Sequence, residues 1–309
     1  MKKIIITGGL GYIGSQIAKK LIKKKYKVII LDNFLTNTSK KIEGAEIIKC
    51  DITSFENLSK IKIEEADAIL HLAAQSSGPN SYNNPELDIK INVLGTVNII
   101  NFCKKNKIKK FIYASSFTVY GDNKNEILDE NCECNPKSFY AISKYASEKY
   151  LQLLCNKFSI KWNILRMFNV YGPGQDISRA DQGIVSIYLN YIKNQNTLPV
   201  KGSLERFRDP IFIDDVVDAW IICLEDKENF NQIFNLGSGE KIYVKEMIDE
   251  IVKLYKKQDI IKINVVDSTP GDIGGCYANI KKINKLLLFS PKIKFREGIK
   301  LFKNWADSL

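Results

Sequence analysis

In the stretch SFYAISKYASEKY (residues 138–150), Tyr140 and Lys144 stand four apart. That spacing puts both on one face of a helix and lets their side chains meet. A phenol beside an ammonium can give and take a proton, because the positive charge favours the phenolate. The pattern alone is common, so its meaning depends on what the chain places around it. Ser116, a hydroxyl donor, ends the apolar run KFIYASS (110–116). A second constellation opens the chain. In IIITGGLGYIGSQIAKKLI, Gly8, Gly11 and Gly14 follow a β-branched run and lead into a helical pattern. A strand, a glycine-rich turn and a helix N-terminus let backbone approach a pyrophosphate and offer it N–H donors. Asp32 closes the next apolar run, in VIILDNF. A carboxylate there accepts from both ribose hydroxyls of a dinucleotide and repels a 2′-phosphate. With Asn33 and Phe34 following and no arginine beside it, the expected cofactor is NAD rather than NADP. CDIT (50–53) places Asp51 and Ile52 at a third strand end, against the adenine.

The elements that must hold these residues are short. KIIIT (3–7), KVIILD (27–32), AEIIKCD (45–51), DAILHLA (67–73), KFIYASS (110–116) and WNILRMFN (162–169) alternate with helical spacing such as Ile13, Ile17 and Leu21, and with a helix from about Pro85 to Lys105. Near-continuous apolar strands alternating with helices predict an α/β fold, a Rossmann-type doubly wound parallel sheet covered on both faces. Ligands of such a sheet sit at its strand ends. From about Tyr171 the pattern loosens, with YGPGQDISRADQG as a long irregular segment. The expected division is a dinucleotide-binding domain over 1–171 and a smaller mixed α/β substrate-binding region over 172–309, with segments near 210–235 packing back on the first.

Composition narrows the chemistry. The 309 residues are 45% hydrophobic and 26% charged, a globular balance. The single histidine, His71, ends an apolar run and reads as a satisfied structural imidazole. A histidine-based nucleophile system or a multi-histidine metal site would rest on it alone, so no metal is expected. Seven cysteines form no regular framework and read as reduced thiols. Net charge +11 is spread over lysine-rich helix surfaces with no nucleic-acid-binding motif, so no nucleic-acid partner is expected. Of five arginines, two fall in LERFRD (204–209). The start, MKKIIITGG, is too short for a secretion core, and no apolar run reaches membrane-spanning length. A soluble, cytoplasmic chain is expected.

Taken in order, TGGLGYIGS, LDN, HLAAQ, NVLGT, SSFTVYG, YAISK, LRMFNVYGPGQ and RFRDPIFIDDVVDA resemble the extended short-chain dehydrogenase/reductase family, in its nucleotide-sugar branch typified by UDP-glucose 4-epimerase. The resemblance covers nearly the whole chain. It implies a catalytic set of Ser116, Tyr140 and Lys144, with Ser115 structural and Lys144 also gripping the nicotinamide ribose. It adds Tyr12, Ile13, Leu72, Ala73, Ala74, Gln75, Asn92 and Phe168 to the NAD cleft. For a nucleotide-sugar substrate it nominates Asn169, Val200 in TLPVKG (197–202), Arg208 on the diphosphate with Arg206 as local competitor, and Asp272. A homodimer pairing helices near 85–105 and 138–157 is likewise implied.

Three reactions share such a site. Family 4,6-dehydratases carry acidic residues straight after the serine or threonine, where this chain has Phe117 and Thr118. An epimerase at C4, working through a transient 4-keto sugar, needs only the serine, the tyrosine and NAD. A C4 reductase or dehydrogenase would use the same residues and release its cofactor. The resemblance favours epimerisation of UDP-glucose/galactose or UDP-GlcNAc/GalNAc, in polysaccharide biosynthesis. A non-catalytic dinucleotide sensor of this fold is disfavoured, since both tyrosine and lysine are present. Thr269 stands where better-known epimerases have a phosphate-binding arginine. Cys276 stands where a tyrosine in some of them excludes N-acetylated sugars, and it reads equally as a small buried filler.

Overall fold

In a computed structural model, which describes residues 2–35, 41–63, 65–268 and 271–309, the apolar runs pair side by side. The strands are β1 (Lys3–Thr7), β2 (Lys27–Asp32), β3 (Ala45–Lys49), β4 (Ala68–His71), β5 (Lys110–Ser116), β6 (Lys161–Met167) and β7 (Gln232–Leu236). They form one parallel sheet in the order β7-β6-β5-β4-β1-β2-β3. Successive side chains of a strand point to opposite faces, which explains why β1 carries three isoleucines in a row. Ile4 and Ile6 enter one apolar cluster and Ile5 the other.

Helices cover both faces: α1 (Tyr12–Lys23), α2 (Gly95–Lys105), α3 (Phe139–Lys157), α4 (Ile184–Asn194), α5 (Ile213–Glu225), α6 (Val244–Tyr255) and α7 (Phe295–Asp307). Ile17 and Leu21 of α1 pack with Val216 and Trp220 of α5 on the Ile4 side. Ile99 and Phe102 of α2 pack with Leu151 and Cys155 of α3 on the other. The sheet therefore has the doubly wound, Rossmann-type layering, and its strand order reverses between β1 and β4, where a crevice opens at the carboxyl ends.

The helix expected from Pro85 to Lys105 is not uniform. A short α-turn over Pro85–Asp88 passes into a π-helical turn over Ile89–Leu94 before α2 begins. In this turn the Asn92 carbonyl accepts from Thr96 Oγ1 at 2.6 Å and from Ser147 Oγ at 2.8 Å. The widened turn is thereby tied to α3.

After Tyr171 the chain does not leave the sheet for good. The strand Pro210–Phe212 pairs in parallel with Asn169–Tyr171, α5 lies against α1, and β7 extends the sheet beside β6. The remaining segments include α4, α6, α7 and a short helix Lys281–Leu287, with three small two-stranded pairs: Thr197–Lys201 with Lys262–Val266, Phe207–Arg208 with Ile242–Tyr243, and Tyr277–Ala278 with Ile127–Leu128 of the first half. All seven cysteines are free. Among the described residues no helix is long and apolar enough to cross a membrane.

Candidate active site

The turn after β1 is built by close approach. Gly8 has φ +66°, and a Cβ there would lie 2.7 Å from the Ala73 nitrogen; one on Gly14 would lie 2.4 Å from the Gly8 carbonyl oxygen. Only glycine admits both the conformation and the contact. The following helix, α1, has no side-chain cap and no acidic residue in its first turn, so its N-terminal N–H groups are available to an anion. Asp32, at the end of β2, is fixed by backbone donors: Oδ2 accepts from the Leu10 N–H at 3.0 Å and Oδ1 from the Phe34 N–H at 2.8 Å. Each carboxylate oxygen retains a second acceptor site for a ribose hydroxyl. These features fit a dinucleotide: a backbone cradle for the pyrophosphate and an oriented carboxylate for the ribose.

A cleft of about 890 Å³ runs from this cradle across the ends of β1, β4 and β5. Gly8, Gly11, Tyr12, Ile13, Gly14, Asp32, Asn33, Asp51, Ile52, Leu72, Ala73, Ala74, Gln75 and Phe168 all line it, and so do Ser116, Tyr140, Lys144 and Asn169. Asn92 does not. It is buried behind the wall because its amide is fully engaged, accepting from Gln75 N–H at 2.9 Å and donating to Gln75 O at 3.1 Å and Ser143 Oγ at 2.9 Å. It locks the loop after β4 to α3.

At the chemical end, Ser138 caps α3 by accepting from the Ala141 N–H at 3.1 Å, which fixes the first turn where Tyr140 sits. Ser116 Oγ accepts from both the N–H and the Oγ1–H of Thr118, at 3.2 and 3.0 Å. With its lone pairs so engaged, its own proton is left to donate into the cleft. Burial pushes the Tyr140 phenol up to about 12, against a hydrogen bond from Ser116 that lowers it, with the Asp88 carboxylate adding to the rise. Burial draws Lys144 down to about 7, opposed by the carboxylates of Glu148 and Asp88. Both shifts have one cause, the cost of a charge away from water. A buried ammonium beside a buried phenol is therefore poised to stabilise a phenolate.

Ser115, one residue before Ser116, points elsewhere. It donates to Glu148 Oε1 at 2.5 Å, and Glu148 in turn takes two bonds from Arg166, at 3.0 and 2.7 Å. His71 is held at both nitrogens, by Thr7 Oγ1 at 2.6 Å and Thr96 Oγ1 at 3.1 Å. Since Thr96 spends its proton on the Asn92 carbonyl, His71 donates from Nε2 and accepts at Nδ1. This is the neutral form, in keeping with a pKa that burial lowers to about 3.

The other residues assigned to substrate lie apart from the cleft lining. Val200 is buried on the strand Thr197–Lys201. Arg208 donates to Asp272 Oδ1 at 2.6 Å and to the Phe207 carbonyl at 2.7 Å, and Arg206 also bonds Asp272. One carboxylate thus holds two guanidinium groups. Cys276 is packed in an apolar cluster with Phe117 and Phe168. Thr269 lies outside the described residues.

Several lining residues escaped the sequence reading: Asn80, Asn83, Gln175, Arg179 and Gln182 among them. For Gln175, Arg179 and Gln182 the signal was the irregular segment YGPGQDISRADQG, since loops at strand ends carry binding groups; Asn80 and Asn83 sit on the short helix Gly78–Asn83 and gave none. The amide oxygens of Asn169 and Gln175 are buried without a protein donor, and such groups ordinarily have a partner. Here a polar ligand would supply it.

Comparison with known proteins agrees with this geometry. A family model described as the NAD dependent epimerase/dehydratase family matches residues 4–237. A Methanocaldococcus jannaschii protein, provisionally named a UDP-glucose 4-epimerase, is 38% identical across 99% of this chain and 98% of its own. The UDP-glucose 4-epimerase of Thermotoga maritima, solved with UDP-glucose, superposes with a TM-score of 0.93 at 29% identity, covering 99% of both chains. A UDP-N-acetylglucosamine 4-epimerase from Methanobrevibacter ruminantium, solved with UDP-N-acetylmuramic acid, gives a TM-score of 0.91 at 31% identity over 99% of this chain and 98% of that one.

Proposed function

Because the chain belongs to the NAD dependent epimerase/dehydratase family, within the extended short-chain dehydrogenase/reductases, we propose that it epimerises a UDP-hexose at C4 with NAD. The carrying observation is that Ser116, Tyr140 and Lys144 line the same cleft as the glycine turn and Asp32. NAD, when bound, supplies the hydride acceptor and returns the hydride. Tyr140 takes the proton from the sugar hydroxyl and gives it back, Lys144 stabilises the phenolate, and Ser116 donates to the same sugar oxygen as its charge develops. Asn169 and Gln175 offer their unpaired amide oxygens to ligand hydroxyls or N–H groups. Inversion follows when the ketone turns and receives hydride on its other face. Residues 1–171 serve the cofactor and 172–309 mainly the nucleotide sugar, with Val200 beside the base, Arg208 on the diphosphate once that anion displaces the Asp272 carboxylate from it, and Asp272 then free to accept from a substrate hydroxyl. The cell compartment is the cytoplasm and the product a sugar donor for polysaccharide synthesis.

The test is incubation with a panel of UDP-, GDP- and dTDP-sugars without added cofactor, followed by anomeric NMR. Conversion to the C4 epimer without net NADH is expected. A requirement for stoichiometric NAD(H) would make the protein a C4 oxidoreductase.

The sugar is set, on this reading, by Cys276. A small residue there leaves room for an acetamido group, so Cys276→Tyr is expected to lower the ratio of UDP-GlcNAc to UDP-glucose turnover by about tenfold or more, the scale of a steric misfit in a packed pocket. An unchanged ratio in steady-state assays would remove the pocket argument and leave Cys276 as a filler among Phe117 and Phe168.

A homodimer is part of the proposal. Ile89 and Leu94 on the 85–105 segment and Ile142 and Leu153 on α3 are exposed, Leu153 to 73%. Exposed apolar side chains on two elements that pack together support an association surface there. Leu153→Asp is expected to shift the protein from dimer to monomer in sedimentation velocity; a wild-type monomer at micromolar concentration would refute the assignment.

A further inference from the structure

Lys144 is 3% exposed, and a buried ammonium needs compensation. No carboxylate bonds it directly among the described contacts. Glu148, one turn further along α3, spends its oxygens on Arg166 and Ser115. Asp88 Oδ1 is occupied by Gln75 Nε2 at 2.7 Å and Asn92 Nδ2 at 3.3 Å. What the ammonium does touch is an aromatic face: its Nζ lies 4.3 Å from the centroid of the Tyr113 ring.

Tyr113 stands on β5 three residues before Ser116 and is 1% exposed. Its hydroxyl is buried with no partner in hydrogen-bond geometry, beside the Ser147 and Thr96 hydroxyls. The ring also stacks on His71, with centroids 5.7 Å apart and planes at 27°. Because His71 is held neutral by Thr7 and Thr96, it adds no positive charge beneath the ammonium.

We propose that Tyr113 is a positioning residue, a ring on which the Lys144 ammonium rests so that it faces Tyr140 and the cofactor ribose. The ring quadrupole attracts a cation held over its face, and more strongly when water is excluded. The groups that bear on Lys144 are then Asp88 from the 85–88 turn, Tyr140 and Glu148 from α3, neutral His71 from β4 and Tyr113 from β5. Of the last two, only the ring touches the ammonium and favours its charge. Arg166 offsets most of the Glu148 charge, which leaves Asp88 and the ring as the main support. The inference rests on the epimerase reading, in which Lys144 must be charged to stabilise the phenolate.

The test replaces Tyr113 by phenylalanine and by its 4-fluoro, 3,5-difluoro and pentafluoro analogues, which weaken the ring quadrupole with little change of shape. Thermal melting of each form checks folding. As pH rises, activity falls when Lys144 loses its proton, so a weaker ring moves that alkaline limb of kcat to lower pH. Phenylalanine is expected to keep the limb in place. The pentafluoro ring is expected to move it down by about one pH unit, with intermediate analogues in order. A limb that does not move across the fluorinated series, or that moves equally with phenylalanine, overturns the proposal. Failure of the unsubstituted enzyme to turn over any sugar nucleotide would instead sink the epimerase reading.

Discussion

Tyr140→Phe is expected to lower kcat by about 10³-fold or more, within the range of a lost general acid–base, while KM and NAD binding change little. The substitution keeps the ring that lines the cleft and removes only the oxygen that exchanges the proton. A loss confined to kcat identifies an interaction made in the transition state, whereas a rise in KM alone would assign Tyr140 to binding. The energetics explain why one oxygen matters so much. Burial pushes this phenol up to about 12, so ionising it near neutrality requires about 7 kcal/mol of added stabilisation. One unit charge at about 4 Å supplies about 4 kcal/mol at an effective dielectric near 20. Lys144 therefore falls short by itself, and the positive nicotinamide of the oxidised cofactor has to provide the rest. The phenolate absorption of the enzyme should accordingly rise on loading with NAD+ and not with NADH. Undiminished turnover in the phenylalanine variant would end the account of Tyr140 as the base.

What could be read in the sequence follows the range of the interactions. The β-branched runs at 3–7, 27–32 and 110–116 form β1, β2 and β5 over those same residues, because a strand buried on both faces writes itself as a continuous apolar stretch. The glycine turn and Asp32 were equally plain, since their spacing is local. β7 carries no such signal: NQIFNL (231–236) is short and lies far along the chain from its partner β6, and tertiary pairing makes it a strand. The family resemblance assigns Asn92 to the NAD cleft, but nothing local in the sequence shows that a π-helical turn aims its amide at Gln75 and Ser143. No periodicity reports a widened turn. Tyr113 and Asp88 gave no signal either, one hidden in an apolar strand and the other in an ordinary helix start. Their relation to Lys144 exists only after β5, α3 and the 85–105 segment pack together.

The same holds for Arg166, whose replacement carries the largest expected cost in stability. Arg166 on β6 is 2% exposed and Glu148 on α3 is fully buried; the guanidinium forks onto both carboxylate oxygens and lies 4.7 Å from the Tyr120 ring centroid. Arg166→Met removes the only cation bonded to Glu148 among the described residues and leaves, among them, a carboxylate in the core with the Ser115 hydroxyl. Breaking one side of a buried pair in this way costs about 3–5 kcal/mol, to be read as a lower urea midpoint at unchanged slope. The companion change Glu148→Gln should return most of that loss in the double variant, because no charge is then stranded. A double variant as unstable as the single one would mean that the methionine fails by packing against Tyr120 rather than by charge. A single variant within about 1 kcal/mol of the parent, the scale of an exposed pair, would mean that water reaches Glu148. In the restored double variant, the alkaline limb of kcat reports separately on Lys144: the carboxylate one turn away and the guanidinium that offsets it are lost together, so the limb should stay close to its parent position.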